Sequence, residues 1–266
     1  MIVNARNIPI YEDWELVPAL TGHQGHFWGW LWAQNNEHRV PLPKLIYLGL
    51  LKIWPDFRVG MIFSIVLLAV VAAGFIIFMR RLRGHTRYTD AFFPVVLLNL
   101  GHWQNLGWSW ELQFVVATAL ACGVLMGVVW PRELSTSRAL ALGVCMVAIP
   151  FTGATALPFA LVVALALIPR LRRAPPSARA VLASSIVITL VVTVLYFVGL
   201  KRPYGVLTDP GPWATIETGA KSLALSVGPA ASGWWLVSAL TVISVVVGAA
   251  VILYRARRQE TWTLLA

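Results

Sequence analysis

Apolar residues run along the chain in long blocks, separated by short polar stretches that are mostly basic. Residues 61–79 hold 19 positions without a charge, close to the roughly 20 that a transmembrane helix needs. Residues 112–130 and 181–200 predict two further spans, and 234–254 the last. Residues 91–106 predict another, with polar His102, Gln104 and Asn105 at its far end. Gly123 and Gly127 form a small-xxx-small pair that suits helix packing. Residues 139–168 form a 30-residue apolar run, too long for one ordinary span, and Pro150, Gly153 and Pro158 interrupt its centre. A proline removes a backbone donor and clashes with the preceding turn. The run therefore predicts two helices meeting in a break within 151–158. Broken backbone at membrane depth must be buried in protein or line a polar cavity.

The first sixty residues read differently. Residues 1–9 lack the apolar core of a signal peptide. Residues 11–40 mix acids, histidines and tryptophans, a composition suited to a membrane interface. Pro41 and Pro43 break the chain, and 45–54 is apolar but too short to span, which fits an interfacial or re-entrant helix. The predicted fold is all-α: a polytopic transmembrane helical bundle with about seven membrane passes, the hairpin at 139–168 included. One membrane domain covers 1–266, with an outer juxtamembrane segment at 1–60, the bundle at 61–254 and a cytoplasmic tail at 255–266.

Composition agrees. Of the 266 residues 58% are apolar and 12% charged, a balance that excludes an ordinary soluble enzyme, a disordered chain or a disulfide scaffold. The net charge of +10 admits a nucleic-acid partner until its position is considered. With the Arg80–Arg87 loop placed in the cytoplasm, 13 of the 21 Lys and Arg and 3 of the 11 acids fall inside. All of the net charge then lies on one face. This is the positive-inside pattern of a membrane protein, and it removes the nucleic-acid reading. The alternation puts the N-terminus outside, with four of five histidines and 11 of 13 tryptophans. Cys122 and Cys145 lie in apolar runs and form no CxxC.

Candidate chemistry therefore belongs to the outer face. Glu12, Asp13 and Glu15 occupy the first outer segment, and Glu111 closes the second. Carboxylates there serve as general bases or metal ligands, or stand as solvated surface charge. Glu111 adjoins an apolar span, where an idle carboxylate is costly. Asn35, Asn36, Glu37, His38 and Arg39 form the densest polar cluster. Arg39 has the planar fork that grips phosphate, and His38 suits proton transfer or metal binding. A hydrogen-bonded turn is the plainer account of the cluster. His23 and His26 resemble a metal pair only weakly, since Gly22 and Gly25 argue against a rigid helix. Lys201 and Arg202 open the last outer loop, where cations neutralise a lipid-linked phosphate or anchor to headgroups. No nucleotide-binding or hydrolase motif is present.

An acidic pair in a first outer loop, juxtamembrane helices, a second outer acid and a broken hairpin together resemble the GT-C superfamily of integral-membrane glycosyltransferases. These include the protein mannosyltransferases and the lipid A aminoarabinose transferases. The run from Glu12 to Glu15, followed by Asn36 to Arg39, is similar to bacterial membrane proteins of that kind. The resemblance implies a bacterial plasma-membrane protein that transfers a sugar from a polyprenyl-phosphate donor at the outer face. Asp13, or Glu12 beside it, matches the first-loop catalytic acid, and Glu111 the second. Arg39, or Lys201 and Arg202, would hold the leaving phosphate, with or without a divalent metal ion. Glu37, His38 and His102 would line the same site. Family members carry a transmembrane helix before the acidic loop and are longer, so the chain reads as a truncated member whose activity belongs to a longer form. Two other readings are a transporter or flippase with a midplane site at the hairpin, and a non-catalytic membrane subunit.

Overall fold

The computed structural model describes residues 7–36, 38–130, 133–201, 211–224 and 234–265. Among them every regular element is helical, apart from one bridge between Asn35 and His38. The chain divides into two units. The first holds residues 1–97 and 104–205, the second 98–103 and 206–266.

The principal helices of the first unit are α1 (Phe27–Trp32), α2 (Pro41–Ile53), α3 (Val59–Arg83), α4 (Phe92–Leu97), α5 (Leu112–Val129), α6 (Thr136–Ala148), α7 (Leu157–Arg173) and α8 (Pro176–Phe197). Prolines stand in the first turn of α2, α7 and α8, where a missing N–H costs nothing. Two apolar cores hold the unit together. One joins α5 to α8 around Val124, Ala139, Met146, Ile149, Leu167 and Leu182. The other seats α2 on α3 and α5 through Leu16, Tyr47, Leu51, Trp110 and Leu112. In the second unit α9 (Gly211–Ala224) packs on α10 (Trp235–Leu265).

Among the described residues four helical segments are long and apolar enough to cross a membrane: Val59–Arg83, Ser109–Val129, Ala154–Arg173 and Pro176–Phe197. On α8 the large apolar Val187, Val191 and Val194 are exposed, as lipid-facing positions are. The chain is an integral membrane protein on this ground. Three of the seven expected passes are shorter apolar helices, Tyr88–Leu97, Thr136–Thr152 and Trp235–Gly248. The expected span at 91–106 is a run of short pieces. Pro94 sits inside it, and the Asn99 side chain accepts from the Gly101 N–H at 2.6 Å, a turn in place of a helical bond.

The hairpin at 139–168 is broken as its sequence predicts. Helix α6 ends at Ala148, two 3-10 turns follow, and α7 begins at Leu157. Between the turns Gly153 has φ +145° and ψ +171°, a conformation reserved for glycine. Ile149, Thr152 and Ala156 around it are buried.

Contacts fix the two ends of the first unit. At one end, the Arg170 side chain donates to the carbonyls of Val128 (2.8 Å) and Trp130, and Arg138 lies 6.0 Å from the Trp130 ring. The Thr136 and Ser177 hydroxyls meet there at 2.8 Å. The C-termini of α3, α5 and α7 and the N-termini of α6 and α8 thus share one arginine-rich end. The hairpin break, the start of α5 and the end of α8 lie at the other, with residues 7–58.

Candidate functional site

Three segments build a cavity at the end away from the arginines. The first begins with a local cap. Asp13 accepts the Ile10 N–H at 3.2 Å while its own N–H donates to the Ile10 carbonyl at 2.9 Å, closing the 3-10 turn Tyr11–Leu16. Tyr11 has φ +47° and rests its ring 5.3 Å from Trp108. A bulky aromatic in the left-handed region is a strained residue. The second segment is the tight turn at Asn35–His38, where each of the two end amides donates to the other's carbonyl at 2.8 Å. Asn36 sits at its corner with φ +48°, which a short polar side chain tolerates. The third is the entry to α5. Ser109 ties it to α3 by accepting the Met61 N–H at 3.1 Å and donating to the Phe57 carbonyl.

Between them lies a cavity of about 150 Å³, whose walls include Glu12, Asn36, His38, Trp108, Glu111 and Gln113. Glu12 Oε1 accepts the Asn36 amide at 3.0 Å. Its Oε2 is buried and has no partner among the described residues. Glu111 is half-buried and near enough to Glu12 for their charges to interact. Gly153 of the hairpin break stands behind Gln113 and Val40, both on the cavity wall; a Cβ there would meet Gln113 Oε1 at 3.3 Å. The break is thus buried beside a polar cavity, the environment such backbone requires.

Asp13 lies beside this cavity but not on its wall, and is 2% exposed. Burial pushes its carboxyl up to about 6. The Ile10 N–H, Tyr47 and Trp108 pull it back, and the Glu12 charge adds to the rise. The Tyr47 hydroxyl donates to the Phe57 carbonyl at 3.0 Å, and burial raises that phenol as well.

Arg39 is buried, with two of its guanidinium nitrogens on backbone carbonyls and its Nε without a hydrogen-bond partner among the described residues. Its guanidinium donates to the carbonyls of Val198 (2.8 Å) and Trp32 (3.3 Å) and lies 5.3 Å from the Trp32 ring centre. Its own N–H donates to the Tyr196 hydroxyl at 2.8 Å. The residue fastens the polar segment to the end of α8. Lys201 is brought to the same place: its N–H donates to Gln34 Oε1 at 2.8 Å, and Gln34 Nε2 donates to its carbonyl. Glu37 and Arg202 lie outside the described residues. His102 belongs to the second unit. His23 and His26 are exposed, with His23 Nδ1 3.0 Å from the Thr21 hydroxyl.

Three participants escape the sequence reading. Lys44 is 1% exposed, donates to the Trp30 carbonyl at 3.1 Å and pairs with Glu15 at 3.6 Å. Burial lowers its ammonium, and Glu15 opposes that shift. The Glu15 carboxylate is therefore a tether, not an idle surface charge. Gln113 and Ser109 are the others. Two of them had a faint signal: Lys44 is a cation in the first turn of an apolar helix, and Gln113 a lone amide at the head of an apolar span.

Among the described residues no three His, Cys, Asp or Glu side chains are grouped to hold a metal ion. The divalent ion admitted by the family resemblance has no such ligand set in that part of the chain. No family model, curated protein or solved structure matches the chain.

Proposed function

We propose that the cavity binds the sugar of a polyprenyl-phosphate donor and transfers it to an acceptor hydroxyl, as the GT-C resemblance implies. The observation that carries this reading is the buried, unpartnered Glu12 Oε2 in a cavity shared with Glu111 and His38. A buried carboxylate oxygen without a hydrogen bond costs free energy unless a ligand supplies one. A substrate hydroxyl supplies it. In the reaction Glu12 takes the acceptor's proton, the acceptor oxygen bonds to the anomeric carbon, and the carbon–oxygen bond to the phosphate breaks. The polyprenyl phosphate leaves with its electron pair.

Glu111 and His38 position the sugar, and Asn36 holds Glu12 in place. Lys201 neutralises the leaving phosphate, since Arg39 is buried and two of its guanidinium nitrogens hold backbone carbonyls. Asp13 supports the turn that presents Glu12. In the membrane the cavity faces outward and the arginine end faces the cytoplasm of a bacterial cell, following the charge asymmetry.

Transfer of labelled sugar from a polyprenyl-phosphate donor in membranes containing the protein tests this. Glu12→Gln is expected to lower transfer by about 10²–10⁴, the usual cost of a lost general base, while the purified protein still retains the donor. Unchanged transfer would move the base to Glu111 or Asp13. No transfer by the wild type with any such donor, and no retention of donor, would favour the transporter or subunit reading.

A further inference from the structure

At the opposite end of the first unit lies a cavity that the proposed reaction does not use. It measures about 310 Å³ and is bounded by α3, α5 and α6, with Trp130 and Leu134. Phe78, Met126, Trp130 and Leu142 give it apolar walls, and Arg81 and Arg138 stand on it. Both arginines are exposed, and among the described residues neither pairs with an acid. The contrast with their neighbours is informative. Arg83 is paired with Asp90, and Arg170 caps the end of α5. Trp130 Nε1, a buried donor on the same wall, has no partner among the described residues.

We infer that this cavity is a binding site for an anionic phospholipid, with the phosphate between Arg81 and Arg138 and the start of an acyl chain along Phe78, Met126 and Leu142. Charge complementarity selects the occupant. Two unpaired cations and a free indole donor match a phosphate oxyanion, and the apolar walls match the first methylenes beyond the glycerol. The cavity is at the lower end of the size range for small-ligand sites, roughly 300–1,000 Å³. It takes the phosphoglycerol portion and leaves the rest of the chains in the bilayer. Its position fits, because it lies where apolar helices meet a basic rim, the level of lipid headgroups.

The test is native mass spectrometry of the purified protein with phosphatidylglycerol and with phosphatidylcholine of the same chains. The wild type is expected to retain phosphatidylglycerol preferentially. The double variant Arg81→Gln, Arg138→Gln is expected to bind it about 10–100-fold more weakly, since each cation near an anionic headgroup contributes roughly a factor of three to ten. Arg172→Gln with Arg173→Gln removes the same charge from the same end, outside the cavity, and is expected to keep the preference. Ala141→Trp fills the cavity from an exposed position without changing charge and is expected to lose it. Three results would overturn the site. One is equal loss in the Arg172/Arg173 variant, which means a diffuse field. Another is equal retention of phosphatidylcholine. The third is equal protection by free glycerol phosphate, which means an anion site without a lipid. If the Arg81/Arg138 variant does not fold, Ala141→Trp decides, and an unchanged preference in it refutes the inference.

Discussion

Arg39 and Arg173 carry the same guanidinium to opposite ends of one bundle, and the bundle treats them differently. Arg39 is 7% exposed and spends its donors on the carbonyls of Trp32 and Val198. Arg173 is exposed at the last turn of α7. The difference follows from the elements each end contains. The arginine end is made of regular helix termini. Their last carbonyls need only a cap, and cations suit the negative end of the helix dipole. The cavity end combines the 13-residue helix α2 with 3-10 turns, short helices and a single bridge. Such short pieces leave most of their backbone groups unpaired, and buried groups must find partners. Arg39, Lys44, Tyr47, Ser109 and Gln34 supply those partners. Polar side chains at this end are thus structural first, and the cavity is what remains where they do not meet.

The two ends should differ most at two glycines. Gly153→Ala at the hairpin break is expected to cost about 3 kcal/mol or more. Its φ of +145° is closed to other residues, and the new Cβ would press on Gln113 Oε1 at 3.3 Å. Gly84→Ala at the arginine end meets nothing within 4 Å and sits in the milder left-handed region at φ +82°, so about 1–2 kcal/mol is expected. Thermal unfolding in detergent gives both. Equal losses would mean that the cavity end is no more tightly specified than the arginine end.

A smaller effect separates the two arginines. Arg39→Ala leaves the carbonyls of Trp32 and Val198 without their donor while the backbone bond to Tyr196 survives, at an expected cost of about 2–3 kcal/mol. Arg173→Ala should stay within about 0.5 kcal/mol, as exposed surface substitutions do. The same unfolding measurement checks the pair, and a cost below 1 kcal/mol for Arg39→Ala would return its guanidinium to the role of a substrate group.

Much of the bundle was legible because apolar length and proline position are one-dimensional signals. The break at Gly153, within the expected 151–158, and the long helices at 59–83 and 176–197, over the expected spans 61–79 and 181–200, follow from them. The short pieces at 91–106 were not, because a block of apolar residues does not reveal that Pro94 and the Asn99 turn cut it. The candidate site was half legible. Glu12, His38 and Glu111 stood out as outer polar residues, and they do share a cavity. Which of Glu12 and Asp13 faces that cavity depends on the rotation of a 3-10 turn, set by the Ile10 cap. Whether Arg39 is free depends on α8 arriving beside it from about 160 residues away. No local pattern encodes either.

That rotation gives the smallest effect, and the one with a definite sign. Asp13 has an ordinary carboxyl value of 3.8 and is pushed up to about 6 by burial. In the folded protein it holds its proton over a range where the unfolded chain has lost it. Stability from the neutral acid is therefore fully present below about pH 4 and is lost as pH rises through 6. Asp13→Asn is neutral at every pH, and its side-chain oxygen can still accept the Ile10 N–H. The variant should match the wild type near pH 4 and exceed it above pH 7. A shift of about two pH units sets a ceiling near 3 kcal/mol on the gain. Melting curves of both proteins between pH 4 and 8 measure it. A wild type still as stable as Asp13→Asn at pH 7.5 would show a charged, well-satisfied carboxylate. It would also make Asp13, rather than Glu12, the acid to place against substrate. Glu12→Gln sharpens the reading further: removing the neighbouring charge should lower the Asp13 value and shrink the pH-dependent gap between the two proteins.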